Sequence, residues 1–141
     1  MKILVPIDGS QNSLKALKYA INLAKGLTAK SSIVVITVHD DSSFNYIDQF
    51  VTYDDIKNIL IENSQKEMKP AQKLLAKSDI SHSFIIEIGN VPETILSIAD
   101  KEKVGLIVIG SKGRSELSDM LLGSIAHRIT HKAKQPVLVI K

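Results

Sequence analysis

Leu106-Ile107-Val108-Ile109 is a run of four apolar, mostly β-branched residues with no polar residue among them. Ile33-Val34-Val35-Ile36 repeats the pattern. A strand with one wet face alternates polar and apolar residues, whereas a continuous apolar run fits a parallel strand covered on both faces. Working outward from these two runs, five segments read as strands: Lys2–Ile7, Ser32–Val38, Ser83–Ile88, Leu106–Ile109 and Pro136–Ile140.

The segments between them have helical periods. Leu14, Leu17, Ile21 and Ala24 share one face behind Ser10, a suitable N-cap. A second helix spans about Asp54–Lys77 with Ile56, Ile59, Leu60, Leu74 and Leu75 facing inward, and Pro70 predicts a kink or break near Lys69. Asn90-Val91-Pro92-Glu93 opens a third helix with a cap, an early proline and a Glu at N3, the pattern of a capping box. The fourth runs from about Gly123 to Ala133, with Ile125, Ile129 and Ala133 on one face. Strict β-α alternation implies an α/β fold: an open five-stranded parallel sheet with helices on both faces, Rossmann-like. Right-handed crossovers leave few topologies, and strand order 3-2-1-4-5 is expected over one domain, residues 1–141.

Composition narrows the function classes. The chain has 141 residues, a net charge of +3 and no cysteine. Zero Cys excludes a disulfide scaffold, a thiolate metal site and a Cys nucleophile. The apolar runs are strand-length, far short of the ~18 residues of a membrane span, so a cytoplasmic protein without a membrane partner is expected. The charge is uneven along the chain. Residues 1–100 hold 10 lysines against 12 acids, while residues 101–141 hold 8 basic residues against 3 acids.

Open α/β sheets bind ligands beyond the carboxyl ends of their strands, at the point where strand order reverses. Here that point lies between strands 1 and 4. Asp8-Gly9-Ser10 follows strand 1. It is neither a dinucleotide fingerprint nor a P-loop, but a carboxylate there can accept from a ribose diol or an adenine amine. Gly110-Ser111-Lys112-Gly113-Arg114-Ser115 follows strand 4, and Gly123-Ser124 comes after Gly113 with nine residues between. Glycines let a phosphate approach backbone amides, Gly123-Ser124 opens a helix whose N-terminus attracts anions, and Lys112 and Arg114 add positive charge.

With that motif in view, the chain resembles the universal stress protein family over nearly its whole length. The resemblance is carried by Ile3–Ser10, Gly89–Ile95, Ile107–Arg114, Leu121–Ser124 and Pro136–Ile140. The complete G-x-x-G, nine residues, G-S pattern implies the family's ATP-binding branch. Asp8 would then hold the ribose or adenine side, and Val38 would meet adenine through its backbone. Gly110, Lys112, Gly113, Gly123, Ser124 and Ile125 would line the phosphate path. Pro6, Ile7 and Ile109 would form nearby walls, and Arg114 would lie at the margin. ATP, with Mg²⁺ or Mn²⁺ held by its phosphates, is the implied ligand. Two departures stand out: Val91-Pro92 shifts the usual proline by one place, and Glu116 places an acid beside the phosphate loop. The resemblance also implies a homodimer through the last strand, Pro136–Ile140, a short apolar edge that pairing would cover.

Other constellations weigh less. His127 and His131 have metal-ligand spacing, but Arg128 follows the first and no third ligand is evident, so a solvated helix surface is expected. His39 follows strand 2, where it could line the pocket, but it reads first as a polar residue at the sheet edge. Arg128, Lys132 and Lys134 suit a helix C-terminus, without the aromatic residues of a nucleic-acid surface. The expected function is a nucleotide-dependent regulatory protein of the stress response, with no catalytic residues and an unidentified protein partner. The alternative is a slow ATP hydrolase or nucleotidyl transferase, which would need Asp119, Glu116 or His39 for acid–base chemistry. A phosphoreceiver-like switch lacks the acidic pair after strand 1 that its chemistry requires.

Overall fold

The structure, a computed structural model, describes residues 1–27, 29–42, 52–113 and 122–141. Nine elements alternate along it: β1 Lys2–Pro6, α1 Gln11–Gly26, β2 Ser32–His39, α2 Tyr53–Ala76, β3 Ser81–Ile88, α3 Val91–Lys101, β4 Leu106–Gly110, α4 Ser124–Lys132 and β5 Val137–Ile140. They form a five-stranded sheet in the order β3-β2-β1-β4-β5. All four neighbouring pairs are parallel. The order read from the sequence is the order observed.

The continuous apolar runs are buried because each strand divides its side chains between two layers. Ile3, Val5, Ile33, Val35 and Val108 pack with α1 and with Met68, Ala71 and Leu75 of α2. Leu4, Val34, Ile36, Ile107 and Ile109 pack with α3 and with Ala126 and Ile129 of α4. Alternation is preserved, but both destinations are dry.

The helix starts follow capping chemistry. Ser10 accepts from the Ser13 amide and Asn90 from the Glu93 amide. Glu93 does not complete the expected capping box. Its carboxylate is bonded to Lys132 Nζ at 2.7 Å, tying α3 to α4. A full box appears instead on α2, where Thr52 and Asp55 satisfy each other's backbone amides.

The α2 helix runs unbroken through Pro70, so the break is absent. The expected inward face of α2 is corrected. Its buried residues are Ser64, Met68, Ala71 and Leu75, while Ile59 is 56% exposed and Ile56 and Leu60 are only half-buried. Length explains this. Twenty-four helical residues span about 36 Å, and a strand of eight spans about 26 Å, so the first half of α2 overhangs the sheet. The long irregular stretch Asp40–Tyr53, which reads in the sequence as a solvated surface loop, falls largely on residues 43–51, outside the described residues.

Among the described residues, ion pairs join the ends of the chain to the body: the half-buried Lys2–Glu102 and the exposed Lys132–Glu93 and Lys134–Asp100, at 2.8, 2.7 and 2.7 Å. In each case the lysine's hydrogen bond holds the carboxylate below its usual pKa. A folded-state value below the unfolded one adds stability that is complete above the unfolded value and is lost as pH falls through the folded one. Thermal melts are therefore expected to move to lower temperature on acidification below about pH 4. Asp100→Asn should remove part of that slope, and an equal slope in the variant would show that the pair contributes nothing.

Candidate functional site

The carboxyl ends of β1, β2 and β4 open onto a cavity of about 300 Å³. It lies where strand order reverses, as expected of an open α/β sheet. β1 leads into it through Pro6, Ile7 and Asp8. Gly9 takes φ 80°, which turns the chain toward α1. The Asp8 carboxylate accepts from the Ser10 amide at 3.0 Å, which fixes its orientation at the mouth of the turn. Ser13, buried on α1, donates its hydroxyl to the Ser10 carbonyl at 2.9 Å and supports the same turn.

The opposite wall is the glycine-rich segment after β4. Gly110 ends the strand, with Lys112 and Gly113 following it along the cavity. Ser111 is the clasp of this wall: its N–H donates to the Ile140 carbonyl, and its own carbonyl accepts from the Gly123 N–H, both at 2.7 Å. The second bond brings Gly110–Gly113 beside Gly123–Ser124, although nine residues lie between the two in sequence. The two halves of the motif thus form one edge of one cavity.

The two glycines before the gap meet different constraints. A Cβ at Gly110 would come within 2.9–3.1 Å of Asn12 backbone and Cβ atoms, so this glycine lets α1 pack on the end of β4. A Cβ at Gly113 would lie 3.0 Å from Asp8 Oδ2, so this glycine keeps the space in front of the carboxylate open. Ser10, Thr52 and Asn90 cap α1, α2 and α3 with their side chains. α4 opens on Gly123, which has none to offer, and Ser124, Ile125 and Ala126 of its first turn line the cavity. A helix start without a side-chain cap accommodates an anion.

The remaining wall is apolar: Ile36 and Val38 from β2, Val91 and Ile95 from α3, and Ile109. Among the described lining residues, Asp8 and Lys112 carry charge. The cavity is therefore two-sided, with an apolar slot on the β2–α3 side and a glycine-rich, hydroxyl-bearing edge on the β4–α4 side.

Of the residues expected at the site, Pro6, Ile7, Asp8, Val38, Ile109, Gly110, Lys112, Gly113, Gly123, Ser124 and Ile125 all line the cavity. Arg114 lies outside the described residues, as do Glu116 and Asp119. Ile125 was expected in the core face of α4. It is 37% exposed at the cavity, and Ala126 takes the buried position. His39 is not among the lining residues. Its Nε2 is hydrogen-bonded to the buried Ser64 hydroxyl of α2, which in turn donates to the Leu60 carbonyl at 2.9 Å. His127 and His131 stack on the exposed face of α4, with centroids 5.6 Å apart. Ser13, Ile36, Val91, Ile95, Ser111 and Ala126 are lining residues that motif reading missed.

The model of the Universal stress protein family matches residues 1–141. The chain belongs to this family. Among universal stress proteins, MJ0531 of Methanocaldococcus jannaschii is 37% identical over 141 residues, covering 99% of this chain and 81% of that one. The solved structure of MJ0577, from the same organism, superposes with a TM-score of 0.87 at 31% identity over 99% of this chain and 94% of that one. A universal stress protein of Archaeoglobus fulgidus, solved in complex with dAMP, has a TM-score of 0.68. At 22% identity over 100% of this chain and 98% of that one, it speaks to the shared fold alone. Both structures superpose over nearly the whole of this chain and so share its fold.

Proposed function

We propose that this universal stress protein binds ATP in the cavity and acts as a nucleotide-dependent regulatory protein rather than as an enzyme. The observation that carries the reading is the Ser111–Gly123 hydrogen bond, which joins both glycine clusters into one edge, at a helix start with no side-chain cap, opposite an apolar slot. The slot between Val38, Val91 and Ile95 fits a purine ring. Val38 ends the β2 segment facing it and would present backbone groups to the base. Asp8 would accept from the ribose hydroxyls. Gly110, Lys112 and Gly113, with Gly123, Ser124 and Ile125, would hold the phosphates. Mg²⁺ or Mn²⁺ would be held by the phosphates.

Regulation rather than turnover is supported by the arrangement of ionisable groups. Asp8 is held by the Ser10 amide and His39 is bonded to Ser64 on α2, so among the described candidates each is already engaged within the fold; Glu116 and Asp119 lie outside the described residues. Turnover below ~1 s⁻¹ by a wide margin is expected, and a rate in the ordinary enzymatic range would overturn this part of the reading. A cytoplasmic location and a homodimer paired through β5 complete the proposal. Val137–Ile140 are all half-buried at the sheet edge, a short apolar strand that a second copy would cover.

The direct test is heat release of bound nucleotide from the purified protein, followed by chromatography. Co-purified ATP supports the reading. An empty protein that also fails to take up ATP with Mg²⁺ contradicts it. Ser124→Ala is expected to weaken ATP by roughly tenfold, the loss of one hydrogen bond to a charged group. Calorimetry checks this, and an affinity equal to that of the parent would remove Ser124 from the phosphate path.

A further inference from the structure

We propose that the outer face of α1 and the C-terminal half of α2 docks on an anionic lipid surface. The starting point is a pattern that counting charges along the chain conceals. α1 contains Lys15, Lys18 and Lys25 and no acidic residue. Residues 65–77 contain Lys66, Lys69, Lys73 and Lys77 against one acid, Glu67. These seven lysines exceed the whole chain's net charge of +3, so the rest of the chain is net acidic.

The fold gathers them. Ala16, Leu17, Ala20 and Ala24 of α1 pack with Met68, Ala71 and Leu75 of α2 in one core on one side of the sheet. At 100° per residue, the lysines lie on the opposite side of each helix, and all seven are exposed. The stripes Lys15–Lys25 and Lys66–Lys77 each run about 15–17 Å along neighbouring helices whose axes are about 8–10 Å apart. That separation is close to the Debye length of ~8 Å at physiological salt, so the charges act on a surface together. The ion pairs among the described residues use other lysines, namely Lys2, Lys132 and Lys134. Glu62, one turn before Lys66, marks where the basic stripe ends.

The composition favours lipid headgroups over nucleic acid. The patch holds lysine and no arginine, so it offers charge without the bidentate geometry that reads bases or clamps phosphates. Two parallel helices form a slab, with no single helix projecting to enter a groove. A headgroup layer asks for charge on a flat face and no register. Tyr19, 47% exposed among the lysines, is the side-chain type that settles at headgroup depth. No helix among the described residues is long and apolar enough to cross a membrane, so the association is peripheral. The proposal departs from the expectation of no membrane partner.

The test is sedimentation of the full chain with phosphatidylcholine vesicles, with and without phosphatidylserine. Pelleting is expected only with phosphatidylserine, and it should be lost at high salt. The variant Lys18→Gln/Lys25→Gln/Lys69→Gln/Lys73→Gln changes exposed positions and keeps helix propensity, so unchanged circular dichroism is expected. At about fivefold per lysine near a charged surface, its binding should fall at least tenfold. Absence of pelleting with phosphatidylserine, or equal pelleting of the variant, overturns the proposal. Competition by duplex DNA at the same salt, with the same lysine dependence, would assign the face to nucleic acid instead. ATP titration of the same variant should match the parent, because the patch and the cavity share no residue.

Discussion

Gly113→Val is expected to remove measurable ATP binding while leaving the fold in place. The added Cβ would sit 3.0 Å from Asp8 Oδ2, and the two methyl groups would project further into the space between the carboxylate and the glycine-rich edge. Asp8 would have to turn away from the position set by the Ser10 amide, and the ribose and phosphates would lose room together. A loss of at least 100-fold, about 2.7 kcal/mol, follows from displacing two contacts at once. Stability should change little, because Gly113 lies beyond β4 and the atom its Cβ would meet is the end of the Asp8 side chain rather than backbone. Calorimetric titration and a thermal melt read the two effects separately. Unchanged affinity would mean that the ligand does not lie between Asp8 and Gly113.

Gly110→Val should behave in the opposite way. Its Cβ would lie 2.9 Å from the Asn12 carbonyl carbon and 3.0 Å from its oxygen. These are backbone atoms at the start of α1, so relief requires a shift of the helix against β4 rather than a rotamer change. Overpacking of this kind costs about 1–3 kcal/mol or more, and near 3 kcal/mol the melting temperature of a domain this size falls by roughly 10 °C. Two glycines of one motif thus separate. Both line the cavity, but the missing side chain of Gly110 serves helix–strand packing and that of Gly113 serves the ligand space. A Gly110→Val protein that melts like the parent but no longer binds ATP would contradict this division.

That division also shows what the sequence could reveal. Strand order was legible because continuous runs such as Ile33–Ile36 and Leu106–Ile109 require cover on both faces, and short crossovers have one hand. The glycine spacing placed the edge of the cavity. What it could not show was why each glycine is there, since a phosphate and a close-packed helix make the same demand for a missing side chain. Val91 and Ile95 escaped notice because an amphipathic helix looks the same whether its first turn meets a core or a cavity. Ile59 was misplaced because apolar period says which face is inward but not where the sheet beneath it stops. The lysine face was invisible for a related reason. Lys18 and Lys69 lie 51 positions apart, and only packing puts their helices side by side.

The central claim is that the cavity at the reversal of strand order holds ATP. Titration of ATP with Mg²⁺ into the purified full chain tests it most directly. The account predicts one saturable site per chain with a dissociation constant below ~1 mM, absent in Gly113→Val. Heats that do not saturate, or saturation that the variant shares, would contradict it.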